Sequence, residues 1–249
     1  MGKFAKWLGA GAGFTLGGPI GAIIGFVVGS FIDGVSVEDL KEEERKYNSQ
    51  DKKKSYVESG DFEISLLILA SIVIKADGHV DKRELDYVRK YFVDLYGRER
   101  ANNAFKLFKG IVKRKVSSRQ VCMQIRQYMS HASRLQLIHF LFGIAQSDGS
   151  VKIQEEAVIA KIAYYLYINE RDFNSIKAMF AAKSESAYEI LEVSKSSTDA
   201  EVKKAYRKMV KKYHPDKLVG LGEEHVKGGE QKFQQIQKAY EQIKKERGI

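Results

Sequence analysis

The sequence predicts an all-α protein in three parts: an N-terminal transmembrane helix, a helical bundle and a C-terminal antiparallel helical hairpin. Three observations carry this. Proline occurs only at Pro19 and Pro215 among 249 residues, so almost nothing interrupts long runs of Leu, Ile, Lys, Glu and Ala, residues that favour helix. From Trp7 to Ile32 the chain carries no charged side chain. Beyond residue 60, apolar residues recur at helical spacing between turns that hold Gly, Ser and Asp.

The apolar stretch comes first. Its 26 uncharged residues would make a helix of ~39 Å at ~1.5 Å per residue, longer than the ~30 Å hydrocarbon core of a bilayer. It is too long for the apolar part of a signal peptide, and no Ala-x-Ala cleavage site follows. Trp7 suits an interfacial position. Pro19 either kinks a single span or divides the stretch into two halves; a single bent span is the preferred reading. Lys3 and Lys6 precede it, whereas Lys41, Arg45, Lys46, Lys52 and Lys53 follow within about 20 residues. The excess on the C-terminal side places the bulk of the protein in the cytoplasm and the N-terminus outside. Residues 1–34 form this anchor, and 35–59 form a charged juxtamembrane segment.

Within the anchor, Gly21, Gly25 and Gly29 fall every fourth residue, continuing the interval of Gly9, Gly13 and Gly17. Glycine at every fourth position opens a groove through which two helices approach closely in lipid. A homodimer through Gly21, Gly25 and Gly29 is one reading; glycines that only tolerate bending around Pro19 are the other.

Residues 60–183 contain about six or seven amphipathic or buried helices. A helix opens at Asp61. Another follows Asp81, where Asp81 and Glu84 have capping-box spacing, and Ser117 and Gln120 repeat that spacing further on. Cys122 stands at an apolar helical position in "RQVCMQIRQYM" and reads as a small buried hydrophobe. As the lone cysteine it excludes an intramolecular disulfide and a cysteine-based zinc site. Residues 98–134 hold ten basic residues and one acid, Glu99. That patch suits nucleic acid or anionic lipid, or is a solvated helix face; no DNA-reading motif accompanies it, so the solvated face is preferred and nucleic acid is an unlikely partner.

One pattern occurs twice. "ADGHVDKRE" from Ala76 and "SDGSVKIQE" from Ser147 share D-G-x-V-x-x-x-E, each between two apolar helices. Asp77, Glu84, Asp148 and Glu155 are therefore candidate ligands for Ca²⁺ or another hard cation. The competing reading is structural: an Asp-Gly turn ends one helix, and an acid early in the next favours its N-terminal dipole. The structural reading is preferred, since neither loop has EF-hand spacing. His79, His131 and His139 show no ligand spacing and read as ordinary surface or core histidines. The paired pattern resembles the TerB-like helical domain, over roughly residues 60–183.

The last 65 residues carry the sharpest signal. A short helix "YEILEV" precedes a capping box of Thr198 and Glu201. The helix it opens has one apolar stripe, Val202, Ala205, Tyr206, Met209, Val210 and Tyr213, interleaved with Lys203, Lys204, Arg207, Lys208, Lys211 and Lys212. It must end near His214, because the residue before Pro215 is pushed out of the helical region. Phe233, Ile236, Ala239, Tyr240 and Ile243 form a second stripe suited to packing antiparallel on the first. A basic amphipathic helix running into His214-Pro215-Asp216, flanked by "YEIL" and "AYE", resembles the J domain of the DnaJ family, over residues 185–249.

Gly-rich anchor, TerB-like bundle and C-terminal J domain together resemble the DjlA-type membrane-anchored J proteins of bacterial inner membranes. The resemblance implies a co-chaperone rather than an enzyme, with no cofactor. It implies that the basic helix and His214, Pro215 and Asp216 bind a DnaK-type Hsp70 and stimulate its ATPase. The chain has no Gly/Phe-rich segment and no cysteine-rich zinc region, so the client-binding apparatus of general DnaJ chaperones is missing. Its joint, "AAKSES", is shorter than the polar linker common in that group, which implies a more fixed orientation between the two domains. The alternative function is a metal- or stress-sensing membrane adaptor acting through the TerB-like domain.

Overall fold

The structure, a computed structural model, describes residues 59–112, 116–181, 186–213 and 223–248. The anchor with Gly21, Gly25 and Gly29, and the loop with His214, Pro215 and Asp216, lie outside the described residues. Among the described residues every element is a helix. None of these helices is long and apolar enough to cross a membrane.

Six helices build the bundle: α1 Ser59–Val73, α2 Lys82–Val112, α3 Ser118–Tyr128, α4 His131–Gln146, α5 Ile153–Tyr165 and α6 Glu170–Ala178. α1 and α4 are the core. Leu66, Leu67, Ile68, Leu69 and Ala70 are all buried in sequence on α1, and Leu137 to Ala145 are buried without a break on α4. A helix apolar on every side must be enclosed by others, and α2, α3, α5 and α6 wrap these two.

Side-chain caps set several starts. Ser117 accepts from the Gln120 amide on α3, Ser130 from Ser133 on α4 and Asn169 from Asp172 on α6. The Asp81–Glu84 box forms with a shifted register: Glu84 Oε2 accepts from the Asp81 amide at 3.1 Å, but the Asp81 carboxylate takes the Arg83 amide at 2.7 Å. α2 departs from the sequence reading, which treats 98–112 only as part of a basic patch. Gly97 (φ 78°, ψ 168°) breaks α2 into two halves, a conformation that glycine alone adopts readily. The second half buries Ala101, Ala104, Phe108 and Ile111. The patch is partly structural: Arg100 pairs with Glu63 at 2.8 Å, Arg134 donates to the Leu166 carbonyl and Arg126 stacks on Tyr167.

Tyr87, Tyr91, Phe92 and Phe140 join α2 to α4, with the Tyr91 and Phe140 ring centres 4.4 Å apart. Gly143 makes room for them, since a Cβ there would lie 2.0 Å from the Tyr87 hydroxyl oxygen. Cys122 is fully buried, and burial pushes its thiol up to about 12, which suits an inert core residue.

The C-terminal unit comprises α7 Ser186–Ile190, α8 Asp199–Tyr213 and α9 Glu223–Arg247. α8 and α9 run antiparallel, as the spacing predicts: Tyr206 stacks flat on Tyr240 at 4.0 Å, while Arg247 at the end of α9 reaches Asp199 at the start of α8 at 2.9 Å. Val202, Met209, Ile236, Ala239 and Ile243 are buried between them.

Candidate functional site

The basic helix is built from its cap outward. The Thr198 amide donates to Glu201 Oε2 at 2.8 Å and the Glu201 amide donates to Thr198 Oγ1 at 3.3 Å, so both halves of the box form. These bonds hold the Glu201 carboxyl below its ordinary value. Because Val202, Met209 and Tyr213 face inward, Lys203, Lys204, Arg207, Lys208 and Lys211 stand exposed. The row of cations predicted from sequence is thus one continuous face.

Its C-terminal end is different. Lys212 is half-buried and its ammonium donates to Asp172 of α6 and to Glu192 at 3.3 Å. Glu192, in the turn after α7 with φ 59°, also receives Lys208 at 3.4 Å. Asp172 further contacts His131 Nε2 at 3.0 Å. Burial raises the Asp172 carboxyl, but the hydrogen bonds from His131 and Lys212 outweigh it and hold the group ionised. None of this was legible in the sequence, which presented Lys212 as one more exposed cation and His131 as an unremarkable histidine.

Arg247 is a second residue that sequence reasoning missed. Its guanidinium donates to Tyr188 Oη at 3.1 Å, to the Ser197 carbonyl at 2.7 Å and to the Lys195 carbonyl at 2.9 Å. It ties the end of α9 to the turn that starts α8 and fixes the direction of the basic helix.

The two Asp-Gly turns come together on one side of the bundle. Gly78 (φ 83°) and Gly149 (φ 119°) supply the left-handed positions that end α1 and α4. The carboxylates meet around Lys152, whose ammonium lies 2.7 Å from Asp77, 3.2 Å from Asp148 and 3.9 Å from Glu155. Arg83 bridges the turns by donating to the Asp148 carbonyl at 2.8 Å. Hydrogen bonding to Lys152 lowers Asp77, and the bond from Arg83 lowers Asp81 to about 2. Burial raises Glu155, and burial with the nearby Glu155 carboxylate lifts Glu84 to about 7. Among the described residues no group of three or more His, Cys, Asp and Glu has an arrangement that could hold a metal ion. A lysine ammonium stands where the acids converge.

Three family descriptions match the chain in order. Residues 1–49 match the co-chaperone DjlA transmembrane domain, residues 63–178 the tellurite resistance protein TerB and residues 186–248 the DnaJ domain. The chain belongs with the DjlA-type J proteins. Among its relatives, the co-chaperone protein DjlA of Coxiella burnetii is 29% identical over 100% of both chains. That of Escherichia coli K12 is 27% identical over 100% of both. The DjlA of Vibrio cholerae is 54% identical over 65 residues, 25% of this chain and 23% of that one. No solved structure matches. The DjlA-type organisation accounts for an apolar anchor, a bundle with paired Asp-Gly turns and a basic-helix hairpin in a single chain.

Proposed function

We propose that this DjlA-type protein is a membrane-anchored J-domain co-chaperone that stimulates the ATPase of a cytosolic DnaK-type Hsp70. The observation that carries this reading is the exposed cationic face of α8, which leads in sequence directly into His214-Pro215-Asp216. Lys203, Lys204, Arg207, Lys208, Lys211 and Lys212 attract an acidic face of the partner's ATPase domain and steer encounter. Asp216 then makes a charge-assisted contact with an arginine near that partner's domain linker. Pro215 fixes the turn that presents it, and His214 orients the loop. ATP is hydrolysed by the partner, not by this chain, which needs no cofactor.

The apolar N-terminus (1–34) holds the protein in the bacterial inner membrane, its N-terminus outside and its TerB-like domain (60–183) and J domain (185–249) in the cytoplasm. Stimulation is thereby confined to the membrane surface, and Gly21, Gly25 and Gly29 pair two anchors. The test is ATPase stimulation of a DnaK-type Hsp70 by the full chain in lipid nanodiscs. His214→Gln and Asp216→Asn should each abolish stimulation without loss of helicity. Stimulation at the parent level by either variant overturns the mechanism.

A further inference from the structure

We infer that the TerB-like domain is an internal docking site for the J domain, competing with the chaperone partner for the end of the basic helix. The inference rests on the co-chaperone reading for its consequence, but its geometry stands apart from it. α9 packs on α2 and α4, and α7 packs on α6. Specific bonds cross the joint. Ser175 Oγ donates to the Ile190 carbonyl at 2.7 Å, and Gln235 Nε2 donates to the Met179 carbonyl at 3.3 Å. Gln235 Oε1 lies 2.9 Å from His139 Nε2. Asp172, only 2% exposed, takes Lys212 of the J domain.

Lys212 stands one residue before Tyr213 and two before His214. A partner that reads the His-Pro-Asp turn has to approach this end of α8, where a buried carboxylate of the same chain already holds the lysine. Toward the start of the helix, Lys203, Lys204 and Arg207 make no ion pair with a described residue and remain open to an encounter. The helix therefore offers its charge for a first contact while withholding the end that must be engaged last. An acid of the TerB-like domain plays toward Lys212 the part that an acid of the partner would play.

The joint is also built to separate. Lys232 of α9 is 1% exposed and its ammonium has no hydrogen-bond partner among the described residues, 5.6 Å from the Tyr213 ring. Burial pushes the Lys232 amine well below the ordinary lysine range, and burial with Lys232 nearby lowers His139 to about 3. The Tyr213 hydroxyl is likewise buried with no hydrogen-bond partner among the described residues. Buried groups of this kind are costly unless paired, and undocking offers them water. A permanent interface would place apolar groups there; this one is poised between two states.

In the competition model, the apparent affinity for the partner falls by the fraction of molecules that are undocked. The experiment uses the full chain in nanodiscs, with purified DnaK-type Hsp70 and ATP as the probe. Asp172→Asn removes the charge that holds Lys212. Gln235→Ala removes the His139 and Met179 contacts and lies outside the basic helix, so it covers the case in which the Asp172 variant misfolds. Each should lower the concentration for half-maximal stimulation about tenfold, as expected if about one molecule in ten is undocked in the parent. Each should also speed hydrogen exchange of residues 170–178 and 186–190, which cover one another. Parent-level half-maximal concentrations alongside robust stimulation, or unchanged exchange in both variants, overturn the competition and leave the co-chaperone reading intact. Stimulation by neither parent nor variants overturns the co-chaperone reading and the competition with it, and the exchange rates then report on the docking alone.

Discussion

Glu84 gives the sharpest quantitative test of how the bundle is built. Its carboxyl is 2% exposed, one oxygen has no hydrogen-bond partner among the described residues, and Glu155 stands nearby. Burial and that neighbour lift it from 4.5 to about 7. Between those two values the folded chain binds more protons than the unfolded chain, so stability is fully present below the lower value and is lost as pH rises through the upper. At about 1.4 kcal/mol per pH unit, the charge on Glu84 removes on the order of 3 kcal/mol at pH 8. Glu84→Gln keeps the shape and can still accept from the Asp81 amide, but carries no charge. Urea unfolding of the full chain in mild detergent, followed by circular dichroism at pH 5 and pH 8, measures the difference. The variant should exceed the parent by on the order of 1–3 kcal/mol at pH 8 and by little at pH 5. An equal effect at both pH values, or a loss at pH 8, would refute the reasoning and show that Glu84 acts mainly through its cap bond.

Three further outcomes are expected. Calorimetry with Ca²⁺ should show weak or no uptake, because the Lys152 ammonium sits among Asp77, Asp148 and Glu155; a micromolar stoichiometric titration abolished by Asp77→Asn with Asp148→Asn would establish a metal site. Neutralising Lys204, Lys208 and Lys211 together should weaken Hsp70 docking about tenfold and flatten its salt dependence, as expected for exposed charges screened within ~8 Å at physiological ionic strength; unchanged binding would make the face a solubility feature. Gly25→Leu should abolish self-association in a membrane two-hybrid assay while Val27→Leu leaves it intact, since only the first fills the proposed groove; equal signals would assign the glycines to bending around Pro19.

Most of the fold was legible because it is local. The caps at Ser117 and Thr198 are spelled within four residues of sequence, and the stripes of α8 and α9 within three turns each. Cys122 could be placed from its helical register alone. The second half of α2 escaped because its apolar positions, Ala101, Ala104, Phe108 and Ile111, are sparse and outnumbered by basic residues, so charge masked the period. The partners of Lys212, His131 and Arg247 escaped for another reason. Their bonds span 40, 41 and 59 residues of chain, and no local pattern encodes a contact that only tertiary packing creates, within one domain for His131 and Arg247 and between two for Lys212.

The same limit explains the paired Asp-Gly turns. Their acids read equally well as cation ligands or as turn and cap residues, because both roles require a carboxylate at a helix end. What separates the readings is a residue outside the shared pattern. Lys152 occupies the second variable position of the second copy, where the first copy has Asp81. Asp81 pairs with Arg83 of its own copy, whereas Lys152 turns to Asp77 of the other copy as well as to its own Asp148. One ammonium thus neutralises acids from both repeats, and Arg83 adds a second link between the turns through the Asp148 carbonyl. The duplicated motif fixes two helix ends; the asymmetry within it joins those ends and holds together the bundle on which the J domain docks.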